Sequence, residues 1–252
     1  MQARKISKTL RGLPASDGDG VRLTRIIAPN HALDPFLLLD AFDSLEPSDY
    51  IGGFPPHPHR GFETVTYMLE GRMLHEDHLG NRGDLGPGDV QWMTAARGII
   101  HSEMPQQLEG RMRGFQLWLN LPGRDKMRNP AYRDIPARDI PTVPVPGGWI
   151  KVVAGSLVQG DWSTVGPVSG GPTDPLYLDL DLQAGIGLTI PVPQGHRVLL
   201  YPYQGAARVA GEDLTSGLLA VLGQGDEVEL SAGPQGLRAL LLAARPLREP
   251  VA

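Results

Sequence analysis

Apolar and polar residues alternate along much of this chain. Leu176, Leu178, Leu180 and Leu182 are interleaved with Tyr177, Asp179 and Asp181, the period-two pattern of a half-buried antiparallel strand. Leu188, Ile190 and Val192 repeat it, and strand-like segments at 198–201, 218–222, 227–230 and 237–242 follow between turns. Earlier, Val21–Ile27 reads as a strand after the Asp17-Gly18-Asp19-Gly20 turn, and 36–39 as a short buried strand. Residues 62–122 read as a run of hairpins, with strands at 64–69 and 90–93 and turns at Gly86-Pro87-Gly88-Asp89 and Ala95-Ala96-Arg97-Gly98. Many short strands at this spacing predict an all-β protein of sandwiches or barrels. A Pro-rich, charged stretch from Pro122 to Pro146 breaks the pattern. It divides the chain into a first barrel at 1–130, a linker at 131–146 and a second barrel at 147–252.

Composition agrees. The chain has 252 residues, enough for one large or two ordinary domains. Its 32 Gly and 24 Pro favour turns and short strands over long helices. A net charge of −5 argues against a direct electrostatic footprint on nucleic acid. There is no Cys, so disulfides and thiolate metal sites are excluded, which suits a reducing compartment. The basic start Met1-Gln2-Ala3-Arg4-Lys5 has no apolar run after it, so no secretory leader is read, and no apolar stretch approaches the ~20 residues of a membrane helix. The expected location is cytoplasmic, with no membrane partner.

The candidate chemistry lies in two short pairs, His57-Pro-His59 and His101-Ser-Glu103. Residues i and i+2 of a strand point to one face, about 6.6–7 Å apart. Two such strands side by side would aim three imidazoles and one carboxylate at one point. Each pair also sits beside a turn, at a strand edge. This donor set suits a divalent transition metal: Fe, Mn, Ni, Cu or Zn. Four protein ligands on an octahedral ion leave two open positions, the mark of a catalytic rather than a structural metal.

Other short motifs carry less. Asp17-Gly18-Asp19-Gly20 lacks the rest of a calcium loop and reads as a hairpin turn. His75-Glu76-Asp77-His78 has its histidines at i, i+3 rather than the metalloprotease i, i+4, and reads as a polar hairpin. His101-Ser-Glu103 lacks the cysteine pair of a deaminase. Trp92 and Trp118 are read as packing residues, either of which could line a pocket. Phe54, Phe62 and Arg60, next to the histidines in sequence, are candidates for the site's walls. In the second half only His196 remains, and one His makes no site.

The segment from His57 through Pro105, with Glu63 ahead of Gly71 and then Gly83, Pro87, Gly88 and His101, resembles pirin, a family of the cupin superfamily. Its His-Ser-Glu-Met-Pro ending, the stretch from Phe115 to Pro122, and Arg245-Pro-Leu-Arg-Glu-Pro-Val251 resemble pirins more closely than cupins at large. The likeness covers roughly 5–250. Pirins usually continue past this last stretch. The resemblance implies two tandem cupin barrels, with metal in the first and none in the second. It puts the ligands at His57, His59, His101 and Glu103, with Glu63 behind them rather than on the ion. It further implies one divalent metal, iron first, and a quercetin 2,3-dioxygenase type of oxidoreductase acting on a flavonol and dioxygen, with Glu103 catalytic. Two alternatives stay open: a metal- and redox-sensing protein that binds a regulatory protein partner, as animal pirins imply, and a Zn or Mn cupin isomerase or sugar binder.

Overall fold

The computed structural model describes residues 2–250, so the last residue of the pirin-like ending, Val251, lies outside the described residues. The secondary structure is strand throughout, interrupted by short 3₁₀ turns, with no α-helix among the described residues. The first strand is β1 (Ile6–Arg11). It is followed by β2 (Leu13–Asp17), β3 (Val21–Ile27), β4 (Phe36–Ser44), β5 (Phe54–His59), β6 (Phe62–Glu70), β7 (Met73–Asp77) and β8 (Arg82–Leu85). Then come β9 (Val90–Thr94), β10 (Ile99–Pro105), β11 (Met112–Asn120), β12 (Ala131–Ile135) and β13 (Thr142–Val145). β14 (Gly148–Ala154), β15 (Ser156–Gln159), β16 (Trp162–Val165), β17 (Leu176–Leu182) and β18 (Gly187–Pro191) lead to β19 (Arg197–Val209). The chain closes with β20 (Glu212–Thr215), β21 (Leu218–Leu222) and β22 (Glu227–Ala244).

Two compact units form, and each borrows one end of the chain. Leu13–Asp139 and the described residues from Leu247 make one; Ile140–Pro246 and the described residues up to Gly12 make the other. The first unit holds a seven-stranded sheet, β12-β9-β6-β11-β4-β3-β2, and a four-stranded sheet, β5-β10-β7-β8. Its C-terminal tail is tied down by two bonds, Arg248 N–H to Asp34 Oδ2 (2.7 Å) and Gly123 N–H to Glu249 Oε2 (2.6 Å). The second unit is built on β1-β21-β19-β22-β17-β14-β13, with β18 on β22 and β20 on β19, and a small β15–β16 ribbon.

The all-β expectation of two successive barrels holds. The linker does not. Within 131–146, β12 pairs antiparallel with β9 and β13 with β14, and Ile135, Ile140 and Val143 are buried. The prolines that suggested a linker flank these strands or sit in them, and both are sheet edges, where a missing N–H breaks no ladder. The strand read at 36–39 runs on to Ser44, because its polar residues find partners: Asp40 pairs with Arg25 (2.7 Å) and Asp43 with Arg111 (2.7 Å).

The strand at 176–182 also differs from its reading. Leu176, Leu178, Leu180 and Leu182 enter the second unit's apolar core, as alternation predicts. The opposite face is covered as well. Asp179 is fully buried, accepting a hydrogen bond from Tyr203 Oη (2.6 Å) with Arg238 4.0 Å away. Polar residues can therefore face a buried layer when each finds a partner. The second unit's interior is filled by Val, Leu, Ile and Ala from almost every strand, each large side chain contributing about 1.5–3 kcal/mol when fully buried.

Arg4 fastens the N-terminal segment to that unit. It is 1% exposed, and its guanidinium donates to the carbonyls of Gly223 (2.8 Å), His196 (3.0 Å) and Pro193 (3.0 Å). Replacing it by Met, which fills similar space but donates nothing, leaves these buried carbonyls short of donors. Arg4→Met is expected to lower the unfolding free energy by about 3 kcal/mol, read from urea denaturation; an unchanged midpoint would contradict this role.

Candidate metal centre

β5 and β10 pair antiparallel, with His57 opposite His101 and His59 opposite Ile99. The two strands thus present His57, His59 and His101 on one face. Their ring nitrogens lie within 4.8 Å of one another, the closest approaches being Nε2 of His57 to Nε2 of His59 (3.0 Å) and of His101 (3.0 Å). β5 is the outer strand of its sheet, which is why Pro55, Pro56 and Pro58 are tolerated there. A bulge between His101 and Glu103 brings Glu103 opposite Phe54 rather than Pro55. Gly53, with a φ of +59°, permits the close approach just before it: a Cβ there would sit 2.7 Å from Pro105 Cδ and 2.9 Å from the Glu103 carbonyl oxygen.

Glu103 lies apart from the triad. Its Oε1 accepts from the Thr66 hydroxyl (2.8 Å) and its Oε2 from Gln116 Nε2 (3.3 Å). The side chain is 4% exposed and lines the same cavity as His57 and His59. That cavity holds about 520 Å³. Its apolar wall includes Leu38, Phe42, Phe54, Met73 and Trp118, and its polar wall Asp17, Asp19 and Asp40.

Burial dominates the electrostatics. It pushes His59 down to about 3 and His101 down to about 2, with the neighbouring imidazoles adding to the effect in both. Both rings are therefore neutral at physiological pH, the form that coordinates metal. His57 Nδ1 lies 2.8 Å from the Pro55 carbonyl oxygen. A carbonyl only accepts, so the hydrogen is on Nδ1 and the neutral ring's lone pair is on Nε2, facing the other two. The donor set, three clustered imidazoles of which His59 and His101 are buried and His57 half-buried, with a buried carboxylate nearby, fits a divalent transition ion.

Other residues fall elsewhere. Glu63 accepts from Thr94 Oγ1 (2.6 Å) and pairs with Arg128 (3.4 Å), and burial raises its pKa. Phe54 is a cavity wall, whereas Phe62 stacks on Trp118 (4.6 Å between centroids) and meets the edge of His59. Arg60 reaches Met127 Sδ (3.3 Å). Trp118 is the one of the two tryptophans that lines the cavity, and its buried Nε1–H has no partner. His196 sits in the second unit, 3.7 Å from Asp174.

Sequence reasoning missed three residues. The hairpin at 75–78 forms, but His75 is fully buried with its Nδ1 3.2 Å from His101 Nδ1. Thr66 and Gln116 orient Glu103. Their signal was available: polar residues among the apolar ones of two central strands, β6 and β11, where Thr66 is buried and Gln116 half-buried. For His75 the deciding fact is register, Glu103 lying directly opposite it on β10.

Comparison with known proteins follows the same lines. The family model described as pirin matches residues 20–119, and that of the pirin C-terminal cupin domain matches 177–252. A Pseudomonas aeruginosa protein provisionally named a quercetin 2,3-dioxygenase is 54% identical over 98% of this chain and 89% of its own length. A pirin-like protein of Caulobacter vibrioides is 51% identical over 100% of this chain and 91% of its own. The crystal structure of a quercetin 2,3-dioxygenase from Acinetobacter baumannii superposes with a TM-score of 0.90 at 32% identity, covering 100% of this chain and 90% of that one.

The depressed imidazoles have a stability consequence. The unfolded chain binds protons at these histidines below about pH 6.5, and the folded one does so only near 3 or below. Their neutral burial therefore costs nothing extra above about pH 6.5 and costs progressively more as pH falls from there. Metal-free protein is expected to lose denaturation midpoint steadily between about pH 6.5 and 5, above the carboxylate range. A midpoint flat over that interval would show that the imidazoles are not buried as described.

Proposed function

The chain belongs to the pirin family, and on that premise we propose that it is a metal-dependent dioxygenase acting on quercetin-like flavonols. The observation that carries this reading is the convergence of three imidazoles, two of them buried and His57 half-buried, beside a largely apolar cavity that His57 and His59 line. His57, His59 and His101 would hold one divalent transition metal, with Glu103 completing the set; iron is placed first, and Mn, Ni, Cu and Zn share the donor preference. When bound, such an ion supplies Lewis-acid polarisation and, if redox-active, a means of bringing dioxygen into the reaction. The name borne by the Acinetobacter neighbour supports the same chemistry.

The chain's own residues bind and orient the substrate. A cavity of about 520 Å³ is ample for a planar polyphenol of three rings. Trp118 and Phe54 offer ring surfaces against which such a ligand can pack. Asp17, Asp19 and Asp40 offer acceptors to ligand hydroxyls, and no Lys or Arg is among the residues lining the cavity. The wall therefore favours a neutral polyhydroxylated ring over a carboxylate.

Glu103 is the proton acceptor. It takes the proton of the flavonol 3-hydroxyl, oriented by whichever of its present partners, Thr66 or Gln116, it keeps once it reaches the ion. Exclusion of water by the apolar wall keeps that proton transfer local.

The test is oxygen uptake by protein loaded in turn with iron, manganese, nickel and copper, over a panel of flavonols. Uptake with at least one pairing is expected. Glu103→Gln should retain much of the metal while turnover falls by roughly 10²–10⁴-fold. His101→Ala should lose metal and uptake together. If no metal supports uptake with any flavonol, the enzyme reading fails, and a regulatory role through a protein partner takes its place.

A further inference from the structure

His75 lies behind the triad, on β7, and nothing in the proposed chemistry uses it. Its side chain is fully buried. Its Nδ1 is 3.2 Å from Nδ1 of His101, and its Nε2 is buried without a hydrogen-bond partner. A surface histidine could turn away; this one is held. Its ring packs against Tyr132 (4.8 Å between centroids, 36° between planes). Tyr132 is itself fixed, donating to Asp134 Oδ1 (2.6 Å) and accepting from Gln91 Nε2 (2.9 Å). Opposite His75 on β8 is Gly83, where a Cβ would collide with Tyr132 Oη and the Asp134 carboxylate. The whole arrangement presses one imidazole against the back of another.

Only one of two facing ring nitrogens can carry the hydrogen between them. His101 turns Nε2 toward His57 and Nδ1 toward His75. For Nε2 to offer its lone pair to an ion, the hydrogen of the neutral ring must be on Nδ1. That N–H then needs an acceptor, and His75 Nδ1 is in reach. His75 in turn carries its own hydrogen on Nε2. The Pro55 carbonyl does the equivalent job behind His57. Partners of this kind fix the tautomer and the ring orientation of a metal-bound histidine.

We infer that His75 is a positioning residue: it accepts the Nδ1–H of His101 and so locks that ring in the metal-binding tautomer. This rests on the metal reading given above and adds a residue to it. Zinc is the probe, being redox-silent and diamagnetic. Long-range ¹H–¹⁵N correlation spectra of zinc-loaded wild type should show His101 protonated at Nδ1 and His75 protonated at Nε2 alone. His75→Phe keeps a ring of similar size and loses the acceptor; zinc affinity, read by chelator competition, should fall by roughly 10- to 100-fold. His75→Asn returns an amide oxygen near the Nδ1 position and should recover most of that loss.

His75 bearing its hydrogen on Nδ1 in the zinc form would overturn the inference. So would His75→Phe binding zinc like wild type, or His75→Asn binding no better than His75→Phe. If His75→Phe does not fold, the wild-type spectra and the affinity of His75→Asn decide. Wild-type protein that takes up no zinc at the triad would instead overturn the metal reading, an outcome distinct from a zinc-binding wild type that ignores His75.

Discussion

The antiparallel register of β5 and β10 is the constraint on which the site depends. It sets His57 against His101 and His59 against Ile99. Side chains alternate from face to face along a strand, so a slip of one residue would send the two sets of imidazoles to opposite sides. Several features pin that register. β10 is held on its other edge by β7. The bulge at Pro55-Pro56 absorbs one residue in one place. Gly53 allows the approach to Glu103 and Pro105 that no side chain would tolerate. The histidine cluster is thus a consequence of how an edge strand rich in proline is fitted to its neighbour.

The two units show one architecture put to two uses. In the second, alternate residues of β14, β17, β19 and β22 fill the interior with aliphatic side chains. In the first, the corresponding direction of β6, β10 and β11 carries Thr66, Glu103 and Gln116, and space is left for a ligand. A close-packed apolar interior is the stable default of a barrel. Keeping a hollow one lined with polar groups costs stability unless those groups find partners, and Glu103, His57 and His101 each have one. The imidazoles face one another through Nε2 atoms about 3.0 Å apart, and an ion between them would take up their lone pairs.

Much of this was legible in the residues. The two i, i+2 pairs pointed to the histidine cluster because strand geometry translates that spacing into a shared face. The strands and most turns followed from alternation and from Gly and Pro. What escaped was whatever depends on partners distant in sequence. Proline and charge made 131–146 look like a linker, since composition cannot distinguish an edge strand from a loop. Asp179 suggested a solvent face, since its partners lie on other strands. His75 was set aside for the same reason: only the pairing of β7 with β10 brings it to His101. Glu103 was read as equivalent to the histidines, whereas its carboxylate is held by Thr66 and Gln116.

The central claim is that these four side chains share one ion. The most direct measurement is anomalous diffraction from crystals of metal-replete protein, collected on either side of the absorption edge of the loaded metal. The account predicts a single strong peak per chain, within about 2.0–2.3 Å of Nε2 of His57, His59 and His101 and of a Glu103 oxygen, with Glu103 released from one of its present partners to reach it. A map with no peak among these side chains would contradict it, as would an equal second peak in the unit whose interior is aliphatic.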